Sequence, residues 1–504
     1  MTKPRTIAEA SGFRATSTHA EVMSFIAELE ALGSRCLRAS SFGKSPEGRV
    51  LPLLVMSSAG AVDPAAARAL GRPVVLIQNC IHAGEVEGKE SALMLARDLL
   101  GGANEGLLEK ITLLVVPIFN PDGNDAMDTK NRALDLERLT GQDGPARVGT
   151  RVNAQGINLN RDYIRHDALE MRLLQTRVCQ PWEPDLTVDT HATNGSVHRF
   201  AMTHDIPHTV ESGRPEPVEF MRRALVPAVS DAVRKNFGLE SGWYGNFVED
   251  ERALDARGKA DPSAPVGEGW MTYPHHPRFG SNYRGLGGRL DLLLECYSYA
   301  SFEERVRATY AWLLETVRAV AERADAVREV VLRSRAPRER IAVSYRLEAL
   351  PGMVDILTRD PRTQSGAPHV VRLPHLARFV GETVVDRPRA YLVPSALESF
   401  LRGHGLRLGT APPRALVEVA RFEGSRDVAG RAILEASGTG QRRVSWSREA
   451  RELAGDALVV VTDQPLGALA VYLCEPESDD GIVENGLLPT PPIGEEFPIM
   501  RIVE

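Results

Sequence analysis

The first two thirds of the chain contain short apolar runs that are separated by longer segments with helical periodicity. The runs are four to nine residues long and rich in β-branched residues and leucine, which is typical of buried strands. They occupy residues 74–78 (VVLIQ), 111–119, 186–189 and 290–294.

Helical periodicity, with apolar residues three or four positions apart, marks the segments between these runs. The predicted helices cover residues 21–32, 87–100 and 302–333. Strands that alternate with helices predict an α/β fold in which a sheet lies between helices.

The pattern changes after Arg335, where short apolar runs are spaced by proline, glycine and aspartate. We therefore predict two domains: residues 1–335 form the α/β domain and residues 336–504 form a β-rich accessory domain. Residues 250–269 are rich in alanine, glycine, proline and charged residues, which predicts a long loop, either a lid or a disordered insertion.

Composition narrows the class of protein. The 504 residues are 43% apolar and 25% charged, as in ordinary soluble globular proteins, and the net charge of -7 argues against a nucleic-acid partner. No signal peptide or membrane-spanning run is visible, so we expect a cytoplasmic protein without a membrane partner. A secreted protein is the alternative if a leader has been removed, and the oligomeric state is not predicted.

The five cysteines are far apart, which speaks against a disulfide framework or a C-x-x-C metal site. Other residues provide candidate metal ligands. His82 and Glu85 come a few residues after the predicted strand at 74–78, and His191 comes two residues after the predicted strand at 186–189. His82 and Glu85 alone could be a solvated loop pair, but with His191 they make three N/O ligands at strand ends, the number that a catalytic zinc uses.

Glu295 ends a run of three leucines at the last predicted strand of this part of the chain. An apolar setting raises the pKa of a carboxyl group, which suits a general base and acid. The alternative is a salt-bridged glutamate at a strand end.

The segment 151–163 (RVNAQGINLNRDY) is polar and carries Arg151 and Arg161. A guanidinium binds a carboxylate with two parallel hydrogen bonds and stabilises a developing oxyanion. Two arginines in a loop are usually only exposed to solvent, so this segment by itself does not identify a binding site. Arg278, Arg284 and Arg289 hint at a preference for an acidic group in the substrate, but we interpret them as surface arginines.

Taken together, the motifs resemble the carboxypeptidase A-like zinc carboxypeptidases over residues 20–310. The resemblance rests on the order and spacing of HAGE at 82–85, NPDG at 120–123, NLNR at 158–161, His191 and Glu295. Residues 274–286 and 472–501 resemble a bacterial subset of this family with larger chains. The resemblance implies a mixed sheet between helices and a peptide-cleaving hydrolase that acts on peptide or peptide-like substrates.

The resemblance also implies roles for individual residues. His82, Glu85 and His191 would bind Zn²⁺, and Glu295 would accept a proton from the attacking water and pass it to the leaving amine. Arg151 would polarise the scissile carbonyl. Asn160 and Arg161 would bind the terminal carboxylate of the substrate, and Tyr283 is the prediction for the tyrosine that caps the site.

Two departures from the family pattern stand out. Asn158 replaces an aspartate that supports a zinc-binding histidine in many members, and Tyr283 lies closer to Glu295 than the family tyrosine does. The predicted reaction is release of a C-terminal residue from a peptide. The alternatives are an amidase or deacylase acting on N-acyl amino acids or cell-wall peptides with the same site, and a non-catalytic binding module.

Overall fold

The computed structural model describes residues 3–58, 60–101, 104–248, 268–360, 364–426, 441–454 and 457–504. The segment predicted as a long loop at 250–269 lies almost entirely outside the described residues. Within the described ranges, no helix combines the length and the apolarity that crossing a membrane would need.

Fourteen α-helices are found in the described ranges. They are α1 (Ile7–Ala10), α2 (His19–Ala31), α3 (Pro64–Leu70), α4 (Glu87–Leu99), α5 (Pro121–Asp125), α6 (Leu169–Leu174), α7 (Gln180–Trp182), α8 (Pro215–Phe220), α9 (Val226–Phe237), α10 (Gly280–Leu286), α11 (Phe302–Glu322), α12 (Ala324–Ser334), α13 (Glu398–Gly403) and α14 (Gly467–Cys474).

Eighteen strands accompany them in the same ranges. They are β1 (Leu37–Lys44), β2 (Val50–Met56), β3 (Val74–Gln78), β4 (Thr112–Val116), β5 (Leu186–Thr193), β6 (Met202–Asp205), β7 (Ser241–Trp243), β8 (Asn246–Val248), β9 (Gly269–Met271), β10 (Leu290–Tyr297), β11 (Arg340–Thr358), β12 (His369–Asp386), β13 (Ala390–Val393), β14 (Leu408–Thr410), β15 (Arg414–Arg426), β16 (Gln441–Glu452), β17 (Leu458–Val461) and β18 (Glu496–Ile502).

The largest sheet has eight strands in the order β1-β2-β4-β3-β5-β10-β6-β7. Its centre, β4-β3-β5-β10, is parallel, and antiparallel pairings of β2 with β4 and of β10 with β6 flank it. Side chains of a strand alternate between the two faces, so Val75 and Ile77 of β3 enter one apolar core while Val74 and Leu76 enter the other. The predicted mixed sheet between helices is confirmed.

Helix boundaries follow local sequence signals. Thr18 and Glu21 form a capping box at the start of α2, and Ser301 and Glu304 form another at the start of α11. The single helix predicted for 302–333 is two helices, because Arg323 leaves the helical conformation (φ -114°, ψ 25°) between α11 and α12.

The C-terminal part is rich in strands. Six antiparallel strands form a sheet in the order β14-β17-β13-β18-β15-β16, and the long hairpin β11-β12 joins β9 and β8 in a four-stranded sheet. The core on one face of the large sheet includes Ile341, Tyr391 and Leu469 beside Tyr163 and Leu286. The division at residue 335 stays a prediction.

Candidate metal centre and active site

Three neighbouring parallel strands place the predicted ligands and the predicted base. His82 and Glu85 lie in the turn between β3 and α4, His191 lies in β5, and Glu295 lies beside His191 in the register of β10. Because β3, β5 and β10 are parallel and adjacent, their carboxyl ends meet at one edge of the sheet.

The donor atoms of the three candidate ligands converge. Nδ1 of His191 lies 3.2 Å from Nδ1 of His82 and 3.1 Å from Oε2 of Glu85, and the His82 nitrogen lies 3.2 Å from the same oxygen. All three side chains are buried. Ligands about 2.0–2.2 Å from a tetrahedral zinc lie roughly 3.3–3.6 Å from one another, so the donor set fits this ion.

The second nitrogen of each histidine faces an oxygen. Nε2 of His82 is 3.1 Å from Oδ1 of Asn158, and Nε2 of His191 is 3.3 Å from Oδ1 of Asp189. Such partners set the orientation of a ligand ring, and a carboxylate also increases its basicity. Burial lowers the pKa of His191, but Asp189 outweighs burial and holds this pKa well above its ordinary value.

Glu85 has a second set of partners on its other oxygen. Oε1 accepts hydrogen bonds from Arg132 at 2.9 Å and from Arg151 at 3.3 Å. Burial raises the pKa of Glu85, but His82 and Arg132 outweigh it and hold the pKa well below its ordinary value. The carboxylate is therefore ionised, as a metal ligand must be. Burial lowers the pKa of His82 to about 4, which keeps its ring neutral.

A cavity of about 100 Å³ opens beside His82, one of the three candidate ligands. Its lining includes His82, Glu295, Arg151, Asn160 and Arg161. Glu295 is partly buried, and burial is the main cause that raises its pKa to about 8. A carboxyl group with this pKa can both accept and release a proton near neutral pH.

Asn160 and Arg161 lie on a short 3₁₀ turn, Leu159–Arg161. The Oδ1 atom of Asn160 accepts a hydrogen bond of 3.0 Å from the backbone N–H of Gly280, the first residue of α10. The guanidinium of Arg161 lies 4.0 Å from the ring centroid of Phe279, which also lines the cavity. These contacts hold both side chains at the wall of the cavity.

Tyr283 is not brought to this cavity. It lies on α10 about 200° around the helix from Ser281, which does line the cavity, and it therefore points to the opposite side. Its hydroxyl is 2.7 Å from Nδ1 of His404. The tyrosines that line the cavity are Tyr244 and Tyr273.

Sequence reasoning missed several contributors to the site. Asp189, Arg132, Tyr244 and Tyr273 come close to it only through the fold, although the aspartate two residues before His191 was a local signal. The interpretation of Arg284 as a surface residue is wrong. It is buried, and it donates hydrogen bonds to Asp189 at 3.1 Å and to the hydroxyl of Tyr163 at 2.9 Å.

Comparisons with known proteins agree on one family. Residues 22–185 match the family model described as zinc carboxypeptidase. Carboxypeptidase D of Mus musculus is 31% identical over 140 residues, which are 25% of this chain and 10% of that protein. Carboxypeptidase 2 of Trichophyton tonsurans is 21% identical over 478 residues, which are 91% of this chain and 81% of that protein.

Among solved structures, a metallo-carboxypeptidase from Pseudomonas aeruginosa in complex with (2-guanidinoethylmercapto)succinic acid is similar. It is 17% identical, the match covers 61% of this chain and 68% of that chain, and the TM-score is 0.41.

The chain spans only 10–11% of the length of the mouse, rat and human carboxypeptidases D that it matches.

Proposed function

Because residues 22–185 match the family model described as zinc carboxypeptidase, we propose that this chain is a zinc-dependent metallocarboxypeptidase. It hydrolyses the C-terminal amide bond of a peptide or peptide-like substrate. The observation that carries the proposal is the convergence of three ligand atoms, 3.1–3.2 Å apart, at the edge of a cavity that Glu295, Arg151, Asn160 and Arg161 line.

His82, Glu85 and His191 would hold the zinc ion. A zinc ion bound by these residues would activate a water molecule and polarise the scissile carbonyl. Asn158 and Asp189 orient the two imidazole rings through their second nitrogens, and Arg132 fixes the Glu85 carboxylate from the side away from the histidines.

Glu295 would act as the general base and then as the general acid. It accepts a proton from the attacking water and passes it to the leaving amine, and its raised pKa of about 8 suits both transfers. Arg151 lines the same cavity with a side chain that is 45% exposed, and the N–H groups that do not face Glu85 would donate to the carbonyl oxygen as negative charge develops there.

Asn160 and Arg161 would bind the terminal carboxylate of the substrate, with Arg161 providing the planar guanidinium. Tyr244 or Tyr273 takes the capping role expected of Tyr283, because both line the cavity and Tyr283 does not.

Metal analysis tests the ligand assignment. The purified protein should contain about one zinc per chain, and His191→Ala should lose most of it because one of three protein ligands is gone. His369→Ala is the matched control, since His369 is exposed on β12, far from the three ligands in the chain. Full zinc content in the His191 variant would refute the assignment.

A further inference from the structure

A second cavity, of about 310 Å³, lies on the side of α10 that Tyr283 faces. Its walls come from residues 175–187, from the end of α10, from Arg289 and Arg335, and from residues 404–407 and 464–469 of the C-terminal part. The volume is within the range of small-molecule sites, which begins at about 300 Å³. Nothing in the proposed reaction uses this cavity.

The side chains that line this cavity carry an excess of positive charge. Arg289, Arg335 and Arg407 line it, and among the described lining residues Glu183 is the only carboxylate. Arg284 also lines the cavity, but Asp189 and Asp291 already neutralise it. Three guanidinium groups thus face a single acidic side chain.

Glu183 is shared between two of these arginines. Its Oε1 atom lies 3.3 Å from Arg289 and 3.1 Å from Arg335. Burial and the charge of Arg335 lower the pKa of Arg289, and Nε of Arg335 is buried with no hydrogen-bond partner among the described residues. An additional anion would relieve the repulsion and supply the missing acceptor.

The start of α14 adds to the positive potential. Leu466, the N-cap residue, makes no side-chain hydrogen bond to the helix, and both Leu466 and Leu469 line the cavity. The N-terminus of a helix favours negative charge. Pro184 and Pro465 extend the apolar part of the wall, so the lining offers cations on one side and an apolar surface on the other.

We propose that this cavity binds a small organic anion. Its carboxylate or phosphate contacts Arg289 and Arg335 in competition with Glu183, and its apolar body packs against Pro184, Pro465 and Leu466. The proposal is independent of the reaction assigned to the metal centre.

The cavity is physically linked to the metal centre through α10. At one end of this helix, Gly280 donates to Asn160, and Ser281 lines the active-site cavity. One turn later, Arg284 lines the second cavity and donates to Asp189, the partner of His191. The two cavities therefore share α10 as a common wall.

Isothermal titration calorimetry of the full-length, zinc-loaded protein with phenyl phosphate tests the proposal. Arg335→Gln should weaken binding roughly tenfold, because it removes one charge-assisted contact. Glu183→Gln should tighten binding, because it removes the competing carboxylate. Arg340→Gln is the matched control, since Arg340 is 72% exposed on β11 and does not line the cavity.

The opposite effects of Arg335→Gln and Glu183→Gln on the affinity for phenyl phosphate distinguish a binding site from a purely structural ion pair. If Glu183 and the arginines only hold the fold together, both cavity variants lower the melting temperature and neither changes the affinity, which would overturn the proposal. Phenyl phosphate should also bind at least tenfold more tightly than inorganic phosphate, and equal affinities would contradict the organic class of ligand.

The variant Arg161→Gln tests whether phenyl phosphate binds in the active-site cavity instead. This variant should keep its affinity for phenyl phosphate. If Arg161→Gln abolishes binding while Arg335→Gln does not, the anion occupies the active-site cavity and the proposal fails.

Discussion

The two histidines of the candidate metal centre differ in the residue that supports each ring. His82 is supported by the amide of Asn158, whereas His191 is supported by the carboxylate of Asp189. Both partners set the orientation of the ring, but only the carboxylate increases the basicity of the ligand. The site therefore combines one imidazole whose basicity is increased by a carboxylate, that of His191, with one whose basicity is not, that of His82.

Glu295 is assigned a chemical role, and its variant tests that role. Glu295→Gln should lower kcat by roughly a hundredfold or more, because an amide cannot accept the proton. Zinc content and melting temperature should stay at the wild-type values, since Glu295 is not a proposed ligand. Steady-state kinetics with a free peptide measures the effect.

Glu303→Gln provides the control, because Glu303 pairs with Arg307 on the surface of α11. It makes the same chemical change and should leave kcat unaltered. A wild-type rate for the Glu295 variant would make Glu295 a structural residue.

At the residue scale, the sequence predicts those members of the site that belong to short motifs at strand ends. His82, Glu85, His191 and Glu295 were accessible in this way, because buried strands can be recognised from their composition. Arg132 and the two cavity tyrosines were not, because only the fold brings their distant segments to the site. The sequence did not show which face of α10 Tyr283 occupies, and the structure places this residue outside the lining of the cavity.

The packing of α4 on β5 depends on one small residue. Gly88, in the first turn of α4, is so close to β5 that an added Cβ would lie 2.0 Å from Oγ1 of Thr190. Thr190 precedes His191, so the helix that follows the HAGE segment presses against the strand that carries the third ligand. The close approach of these two elements positions the ligand set.

Gly88→Ala should therefore destabilise the protein by about 3 kcal/mol, because neither backbone can move without disturbing the sheet. Chemical denaturation measures the change in the free energy of unfolding. Gly106→Ala is the control, since an added Cβ there meets nothing within 4 Å. Equal stability of the two variants would show that α4 can shift away from β5.

At the scale of elements, the central strands and long helices were predictable and the C-terminal strands were largely not. β3 was predicted with its observed bounds, because it is buried on both faces and reads as a continuous apolar run. The hairpin β11-β12 was not predicted as a unit from the short apolar runs after Arg335, since many of its side chains are exposed. Its pairing with β9 depends on distant segments.

The two predicted domains share an apolar core, and the chain between them is held in place. Arg338 donates to the carbonyl oxygens of Val210 at 2.6 Å and Gly213 at 2.7 Å, and Arg335 pairs with Glu183. These contacts indicate that residues 335–339 are not a free linker.

Limited trypsin digestion of the native protein should therefore cut after Arg138 before it cuts after Arg335 or Arg338. Arg138 is 83% exposed, whereas the two linker arginines are held by the contacts just described. Mass spectrometry of the early fragments gives the order of cleavage. Rapid cleavage within 335–339 that releases two stable fragments would instead support two autonomous domains.

The reaction proposed for the whole molecule depends on the group that Arg161 recognises. If Arg161 binds the C-terminal carboxylate of the substrate, blocking that carboxylate as an amide removes a charge-assisted hydrogen-bonded pair from the transition state. The loss is then several kcal/mol, or about a hundredfold or more in kcat/KM.

The most direct test compares one peptide as its free acid and as its C-terminal amide, with the products identified by mass spectrometry. The free acid should lose a single terminal residue and react far faster than the amide, and Arg161→Ala should erase most of this difference. Equal rates on the two peptides, or fragments from internal bonds, would contradict the account and favour an amidase or deacylase that uses the same metal centre.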